Sequence, residues 1–222
     1  MIPKIKDLFS LENTIAASLF DGAEYPWEVL DKISDYIIEL GKTLDPELYE
    51  NRGNNVYVAR DAKVFDSAYI AGPCIIDSGA EVRHCAFIRG NAIVGEGAVV
   101  GNSTELKNVI LFNKVQVPHY NYVGDSVLGN HAHMGAGAVC SNLKADGKGV
   151  VVRGDENIDT GLRKFGGMLA DNADIGCGCI LNPGTVVGKN TSVYPLTALR
   201  GVYPANSIVK SQDKVVLRKE NA

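Results

Sequence analysis

The sequence predicts a mainly β chain wound into a single-stranded parallel β-helix, a triangular prism whose flat sides are short strands. From residue 58 onward an aliphatic residue returns at every sixth position, and a small residue stands two positions before each. The first aliphatic positions are Val58, Val64, Ile70, Ile76, Val82, Ile88, Val94, Val100 and Leu106. A helix repeats its face about every 3.6 residues and a strand about every 2, so neither gives this period. Hexapeptide repeats of this kind are typical of a parallel β-helix.

The repeat also predicts the limits of the coiled region. It begins near Asn54 and continues to about residue 210. At about eighteen residues per coil this length gives about seven coils, each rising about 4.8 Å. The period shortens by one residue at residues 111–117 and again at 123–128. It is absent from residues 141–169, where we expect a long inserted loop, and long ordered loops are commonly functional.

The two ends of the chain lack the repeat. In residues 1–53 we expect a short N-terminal helical segment. Ser10 is predicted to cap a helix that continues to Phe20, and Pro26 to begin a second helix that Gly41 ends. We expect this segment to lie on the coils, over their N-terminal end, because unpaired strand edges there need a cover. The charged tail, residues 211–222, is expected to fray or to form a last short element.

Composition excludes several classes of protein. The formal net charge of −4, with 26 acidic against 22 basic residues, argues against a general nucleic-acid binder. No apolar run reaches the length of about 18 residues that a membrane-spanning helix needs, and the first residues lack the apolar core of a signal peptide. The five cysteines show no framework spacing, so we expect a reduced, cytoplasmic protein. Cys74 and Cys179 fall on small-residue positions and are predicted to be buried.

His119 is the main candidate for acid–base chemistry. It lies in the segment VPHYNYVGD, on a coil side that lacks the aliphatic residue at that position. Because histidine titrates near neutral pH, we predict a general base, and the alternative is a surface histidine bonded to backbone. His131 and His133 stand two residues apart and would need His84 or His119 to complete a metal site across an interface. No acidic partner is evident near them, and we expect no tightly bound metal.

Three basic residues are candidate anion ligands. Arg89 and Lys107 are one coil apart, so we expect them to stack on one face, about 4.8 Å apart along the axis. Stacked cations predict an anion between them, and the guanidinium fork and the ammonium both suit phosphate. Lys148, in the inserted loop, is the third candidate, and plain solvated charge is the alternative for all three. Residues 135–137, GAG, indicate either tight packing of coils or close approach of a ligand to the backbone.

Four segments make a more specific resemblance. HCAFIRG, GNSTELKN, VPHYNYVGDSVLG and MGAGAVCSNLK resemble the acetyltransferase domain of the bifunctional enzymes that make UDP-N-acetylglucosamine. DTGLRKFGG, GCGCILNPG and the connector-like EYPWEVL are similar to the archaeal type. The resemblance covers about residues 54–210 and implies a left-handed coil, a hand that the repeat alone does not fix. The first 53 residues hold no phosphate-cradling glycine loop, so we expect no nucleotidylyltransferase domain here, and a separate nucleotidylyltransferase is a candidate partner.

The resemblance also implies roles for individual residues. His119 corresponds to the base that deprotonates the sugar 2-amino group for attack on the thioester of acetyl-CoA, and Asn142 to a loop asparagine near the acyl group. The implied substrate-binding residues are Arg89, Lys107, Tyr122, His133 and Lys148, with His133 standing where the family usually has asparagine. The implied coenzyme A positions are Ala136 and Cys177, where Cys177 replaces a serine of the bacterial type.

We therefore expect a cytoplasmic homotrimer that transfers an acetyl group from acetyl-CoA to an amino sugar phosphate. Glucosamine 1-phosphate is the leading acceptor, a nucleotide-linked amino sugar is the weaker one, and the active sites are expected between subunits. One alternative is a non-catalytic module that binds a sugar phosphate or sugar nucleotide. Another is a zinc-dependent lyase of the carbonic anhydrase type, although the H-x4-H spacing typical of that class is absent from the sequence.

Overall fold

The structure, a computed structural model that describes residues 1–218, confirms a mainly β solenoid of stacked parallel coils. Strands of consecutive coils pair in parallel and build three long faces. Eighteen residues separate neighbouring strands at Val56↔Cys74 and Cys74↔Ala92, as the repeat predicts. The left hand and the number of coils stay predictions.

Each face is a ladder of very short strands. The first face holds Val56–Ala59, Cys74–Ile76, Ala92–Val94, the second halves of Glu105–Leu111 and Tyr122–Leu128, then Gly167–Leu169, Thr185–Val187 and Val202–Tyr203. The second face holds Lys63–Val64, Glu81–Val82, Val99–Asn102, Gln116–His119, His133–Met134, Asp174–Ile175, Ser192–Val193 and Ser207–Ser211. The third face holds Tyr69–Ile70, Phe87–Ile88, the first halves of Glu105–Leu111 and Tyr122–Leu128, then Val139–Cys140, Ile180–Leu181 and Ala198–Leu199.

An antiparallel strand closes one face at each end of the solenoid. Tyr49–Asn51 pairs with Val56–Ala59 on the first face. Lys214–Leu217 pairs with Ser207–Ser211 on the second face. These strands satisfy the edge groups that a bare coil would expose. Of the two expectations for residues 211–222, a frayed tail or a last short element, the structure shows the short element. Residues 219–222 lie outside the described residues.

The interior of the solenoid is filled by both phases of the repeat. The aliphatic residues from Ile76 to Leu106 are fully buried, as are the small residues Ala80, Ala92 and Ala98 between them. Cys74 and Cys179 are buried as predicted. Burial raises the pKa of the Cys74 thiol to about 12. These thiols therefore behave as small apolar side chains.

The first face is buried on its outer side as well. Its outward positions are apolar and fully covered: Ile75, Ile93, Ile110, Val127, Met168 and Val186. On the second and third faces, by contrast, outward residues such as Glu81 and Phe87 are partly or fully exposed. Strands buried on both sides have continuous apolar sequences, and this is the pattern of the first face. The cover is the N-terminal segment.

This segment contains less regular helix than predicted. It consists of an α-helix at Ile5–Leu8, 3₁₀ turns at Leu11–Asn13, Ala17–Phe20 and Pro26–Val29, and an α-helix at Ile33–Gly41. The single helix predicted from Ser10 to Phe20 is wrong. Thr14 is extended, and its hydroxyl accepts a hydrogen bond from the Ala16 amide, which competes with helix formation. Ser10 precedes the 3₁₀ turn Leu11–Asn13, but its side chain makes no capping hydrogen bond, and its amide and hydroxyl both donate to the Asp171 carboxylate.

The segment lies along the first face instead of over the N-terminal end. Helix Ile33–Gly41 contacts three first-face strands, and the Phe9 and Phe20 rings pack on Phe112. The start at Pro26 and the end at Gly41 agree with prediction, although an irregular turn divides the second helix into two. The segment packs on the apolar outer side of the first face because this buries more apolar surface than covering one strand edge would, and burial of apolar surface stabilises the fold.

The inserted segment is shorter than predicted and contains a hairpin. Val151–Arg153 pairs with Asn157–Asp159, and Leu143 bridges Lys164. The first face resumes at Gly167–Leu169, inside the range expected to be loop, because Met168 and Leu169 fill coil positions. No helix in residues 1–218 combines the length and apolar character needed to cross a membrane.

Candidate functional site

His119 lies at the corner between the second and third faces. It ends the strand Gln116–His119, and its side chain is exposed. The Gly137 amide donates to the His119 carbonyl at 3.0 Å, and the Gly178 amide donates to the Ala136 carbonyl at 2.8 Å. His119, Ala136 and Cys177 therefore occupy successive turns of one corner, which we call the histidine corner. All three are exposed.

Two residues fix the backbone of the histidine corner. Asn121 is buried, and its side chain accepts from the His119 amide at 3.1 Å and donates to the Gly135 carbonyl at 2.8 Å. A Cβ on Gly135 would come within 2.6 Å of the Cys177 backbone nitrogen, so glycine allows the coils to approach here. Tight coil packing, one of the two interpretations of the GAG stretch, thus explains Gly135. In the sequence, Asn121 is marked only by its place in the polar segment that follows His119.

The corner between the third and first faces collects a second group of polar residues. The Asp125 carboxylate accepts from the Lys107 ammonium at 3.1 Å, from the Asn108 amide at 3.0 Å and from the Asn142 amide. We call Lys107, Asp125 and Asn142 the aspartate corner. Tyr122 lies beside Asn142, since a Cβ on Gly124 would come within 2.6 Å of the Tyr122 hydroxyl and 2.7 Å of the Asn142 amide nitrogen.

The one-residue shortening of the repeat occurs at this corner. Pairs Ala92↔Val109 and Val109↔Ser126 are seventeen residues apart, whereas Phe87↔Glu105 are eighteen apart. The first shortening therefore falls between Leu106 and Val109, earlier than the sequence pattern indicated. The tighter corner lets Glu105–Leu111 and Tyr122–Leu128 run through as continuous strands.

Arg89 and Lys107 occupy adjacent coils, as predicted, since the Arg89 amide donates to the Leu106 carbonyl. Each cation already has a carboxylate partner. Arg89 contacts Glu105 at 2.8 Å, and Lys107 contacts Asp125 at 3.1 Å. Protein carboxylates therefore relieve the repulsion that was expected to require a bound anion. A bound phosphate would therefore contact cations that already have carboxylate partners, and not two unpaired cations.

Burial raises the pKa of the Tyr122 phenol, and the charges of Asp125 and Glu105 raise it further. The Asn142 amide opposes this shift by donating a hydrogen bond to the phenol oxygen. Tyr122 is therefore a neutral phenol at neutral pH. It can donate or accept a hydrogen bond but cannot serve as a base there.

The two corners lie at opposite edges of the third face. His119 and Asp125 are separated by one flat side of the prism, with Tyr122 on the strand between them. A single chain thus places the candidate base at one edge and the candidate substrate ligands at the other. The predicted residues form two groups, not one.

Arg89 lies one coil before Lys107 and Tyr122 lies between the corners, whereas His133 and Lys148 lie away from both. His133 is on the second face, and its Nδ1 lies 2.8 Å from the Asp174 carboxylate. Lys148 is exposed in the inserted segment, where its amide donates to Asp146 at 3.0 Å. The part of the chain that the structure describes holds no group of three or more His, Cys, Asp or Glu side chains arranged for a metal ion.

The chain is similar to several known proteins. A family model described as the GMPPB C-terminal domain matches residues 70–160. Bifunctional protein GlmU of Methanococcus maripaludis is 28% identical over 99% of this chain and 54% of its own length. The GlmU protein of Methanococcus vannielii is 31% identical over 88% of this chain and 48% of its own. A hexapeptide transferase family protein from Anaplasma phagocytophilum superposes with a TM-score of 0.41 at 16% identity, covering 74% of this chain and 81% of that one.

These alignments cover the acetyltransferase region of the GlmU proteins. The resemblance to that region is confirmed. The chain spans about half the length of the curated relatives it matches. The activity of the complete relatives is therefore a proposal for this chain.

Proposed function

We propose that this protein transfers an acetyl group from acetyl-CoA to the amino group of an amino sugar phosphate, with glucosamine 1-phosphate as the leading acceptor. The observation that carries the proposal is the exposed His119 at the head of a corner that continues through Ala136 and Cys177. This column offers an open track parallel to the solenoid axis. An extended pantetheine arm would lie along it and deliver its thioester to the imidazole.

The chemistry that follows requires one proton transfer at the start. His119 takes a proton from the neutral acceptor amine as its nitrogen attacks the thioester carbon. The C–S bond then breaks, and the leaving coenzyme A thiolate takes that proton from the imidazolium, which restores the base and releases the thiol. A placed general base accounts for a factor of about 10²–10⁴ in rate. Asn121 holds the backbone of His119 from a buried position, which keeps the imidazole at the corner. Holding both reactants in one groove lowers the barrier further.

We propose that the acceptor phosphate is held at the aspartate corner by Lys107 together with Arg89 of the preceding coil, with Lys148 closing over the sugar. Tyr122, on the third face between the two corners, contacts the sugar as a neutral hydrogen-bonding group. His133 and Asp174 form a separate pair on the second face, and we place His133 at the rim of the site.

We propose a homotrimer with sites between subunits. The third face carries exposed apolar residues, with Tyr69 62%, Phe87 42% and Ile180 39% exposed, while the first face is already covered. Tyr120 and Leu196, at the histidine corner itself, are 65% and 84% exposed. Packing third faces together would bury this surface and bring the histidine corner of one subunit to the aspartate corner of its neighbour.

A thiol-release assay with acetyl-CoA against a panel of amino sugars, their phosphates and a nucleotide-linked amino sugar tests the activity. We expect thiol release with glucosamine 1-phosphate. In His119→Ala we expect the rate of thiol release to fall by a factor of roughly 10²–10⁴. His84→Ala is the matched control, because His84 lies two coils from His119 and packs on the Phe65 ring. No thiol release with any acceptor, or unchanged rates in His119→Ala, would refute the proposal. Stoichiometric zinc in the purified protein would favour a lyase of the carbonic anhydrase type.

A further inference from the structure

The Asp125 carboxylate is the most heavily used polar group of the aspartate corner. Its side chain is 6% exposed. Oδ1 accepts from the Lys107 ammonium at 3.1 Å and from the Asn108 amide at 3.0 Å. Oδ2 accepts from the Asn142 amide and lies 3.3 Å from the Lys107 ammonium. Both oxygens are therefore occupied by residues of the two adjacent coils.

The turn at Asp125 does not require a carboxylate. Asp125 has a φ of +46°, and Asn108, at the same turn of the preceding coil, has a φ of +56°. Asparagine also occupies this left-handed conformation at Asn91, Asn172, Asn190 and Asn206. Asparagine and aspartate both tolerate it, so local geometry would accept either. The negative charge and the second acceptor oxygen must serve the neighbours of Asp125, not the backbone.

An ionised carboxylate accepts hydrogen bonds and donates none. Asn142 must therefore turn its amide nitrogen toward Asp125. The Tyr122 hydroxyl lies beside the same amide nitrogen, and this neighbour opposes the rise in the pKa of Tyr122. The side-chain oxygen of Asn142, Oδ1, accepts no hydrogen bond from residues 1–218 and is not fully buried, so it can accept one from a ligand. This carbonyl suits an N–H donor, and it cannot donate to an oxyanion.

We propose that Asp125 is a positioning residue of the acyl-transfer site, which holds Asn142 with its carbonyl oxygen outward to accept an N–H group of the bound ligands. The proposal rests on the proposed function for its catalytic consequence. The ligand N–H groups available in that reaction are the acceptor amine and the amides of the pantetheine arm. Asp125 also fixes Lys107, so one carboxylate aligns the phosphate side and the acyl side of the site.

Asp125→Asn tests this role with little change in volume or turn preference. The variant has one acceptor oxygen in place of two, and its NH₂ group would face either Lys107 or the Asn142 amide. We expect kcat for thiol release to fall by up to about 100-fold, the scale of a small misplacement of reacting groups. The matched control is Asp171→Asn, because Asp171 is equally buried and contacts the Lys189 ammonium at 3.1 Å, but at a different corner. Equal losses of kcat in the two variants would overturn the proposal.

A double-mutant cycle separates positioning from simple loss of structure. If Asp125 acts through Asn142, Asp125→Asn lowers kcat strongly in the wild type but by less than about threefold in an Asn142→Ala background. Additive effects would show that Asp125 does not act through Asn142.

A measurement without turnover keeps this test distinct from that of the proposed function. In ¹⁵N NMR spectra, the Asn142 side-chain NH₂ signals are those lost in Asn142→Ala. We expect their exchange with water to be at least tenfold slower in the wild type and in Asp171→Asn than in Asp125→Asn. If the wild type releases no thiol with any acceptor, the proposed function fails while the exchange rates still decide the position of Asn142. Equal exchange in all three proteins would overturn the inference.

Discussion

The Trp27 indole stacks on the Phe165 ring, with centroids 5.6 Å apart, although one residue belongs to the N-terminal segment and the other ends the inserted segment. The Phe165 backbone amide in turn donates to the Asn142 backbone carbonyl at 2.9 Å. A short chain of contacts therefore connects the N-terminal segment to the aspartate corner. The segment that covers the first face also braces the loop that carries Asn142 and Lys148.

Trp27→Ala is expected to loosen the inserted segment. Trp27 is 2% exposed, so the truncation should lower the free energy of unfolding by about 3–5 kcal/mol. The freed loop should be cleaved by trypsin after Lys148 faster than in the wild type, under conditions where both proteins stay folded. Phe9→Ala is the control, because Phe9 is similarly buried but packs on Phe20 and Phe112, away from the loop. Equal acceleration of cleavage in both variants would contradict a specific brace.

The repeat predicted most of the fold because each six-residue step has one geometric meaning. His119 and Asp125 stand six residues apart, one prism side, and this spacing already implies adjacent corners. The sequence also indicates that the first face is covered, although the prediction did not use this pattern. Outward positions such as Ile75, Ile93 and Ile110 are apolar, as in strands that are buried on both sides.

Other features had no local signal. Ser10 looked like a helix cap because serine is common there, but its partner Asp171 lies 161 residues away. Long-range bonds of this kind follow from packing and are invisible to spacing rules. The contact of Asp125 with Asn142 is hidden for a related reason, since the two residues are seventeen apart and meet because the coil is one residue shorter there. Lys107 and Asp125 are eighteen apart, one full coil, so the repeat does place them together.

Lys107→Met should destabilise the protein more than Arg89→Met. Lys107 pairs with a carboxylate that is 6% exposed, and removing the cation leaves a buried negative charge, which costs about 3 kcal/mol. Arg89 and Glu105 are 46% and 31% exposed, so water replaces the lost partner and stability should change little. Urea unfolding measures both. Adding Asp125→Asn to Lys107→Met should recover part of the loss, and no recovery would argue against this explanation.

Phe87→Lys tests the proposed interface on the third face. Phe87 is 42% exposed in the single chain, so the coil itself should tolerate lysine. Three added charges near a trimer axis would repel, and light scattering after size exclusion should show the mass of a monomer. Val215→Lys, at a 39% exposed position on the closing strand, should leave the trimer intact. A wild-type protein of monomer mass would refute the trimer directly.

Tyr49 should make the protein sensitive to alkaline pH. Burial and the hydrogen bond from its hydroxyl to the Asp77 carboxylate raise the pKa of Tyr49 above the unfolded value of 10.0. A group with a raised folded pKa binds its proton more tightly in the native state, so its contribution is complete below pH 10 and is lost as pH rises above that value. Tyr49→Phe keeps the ring and removes the titration. Urea unfolding from pH 8 to 11 should therefore show a fall in stability above pH 10 that is smaller in Tyr49→Phe, and parallel curves would assign the fall to other groups.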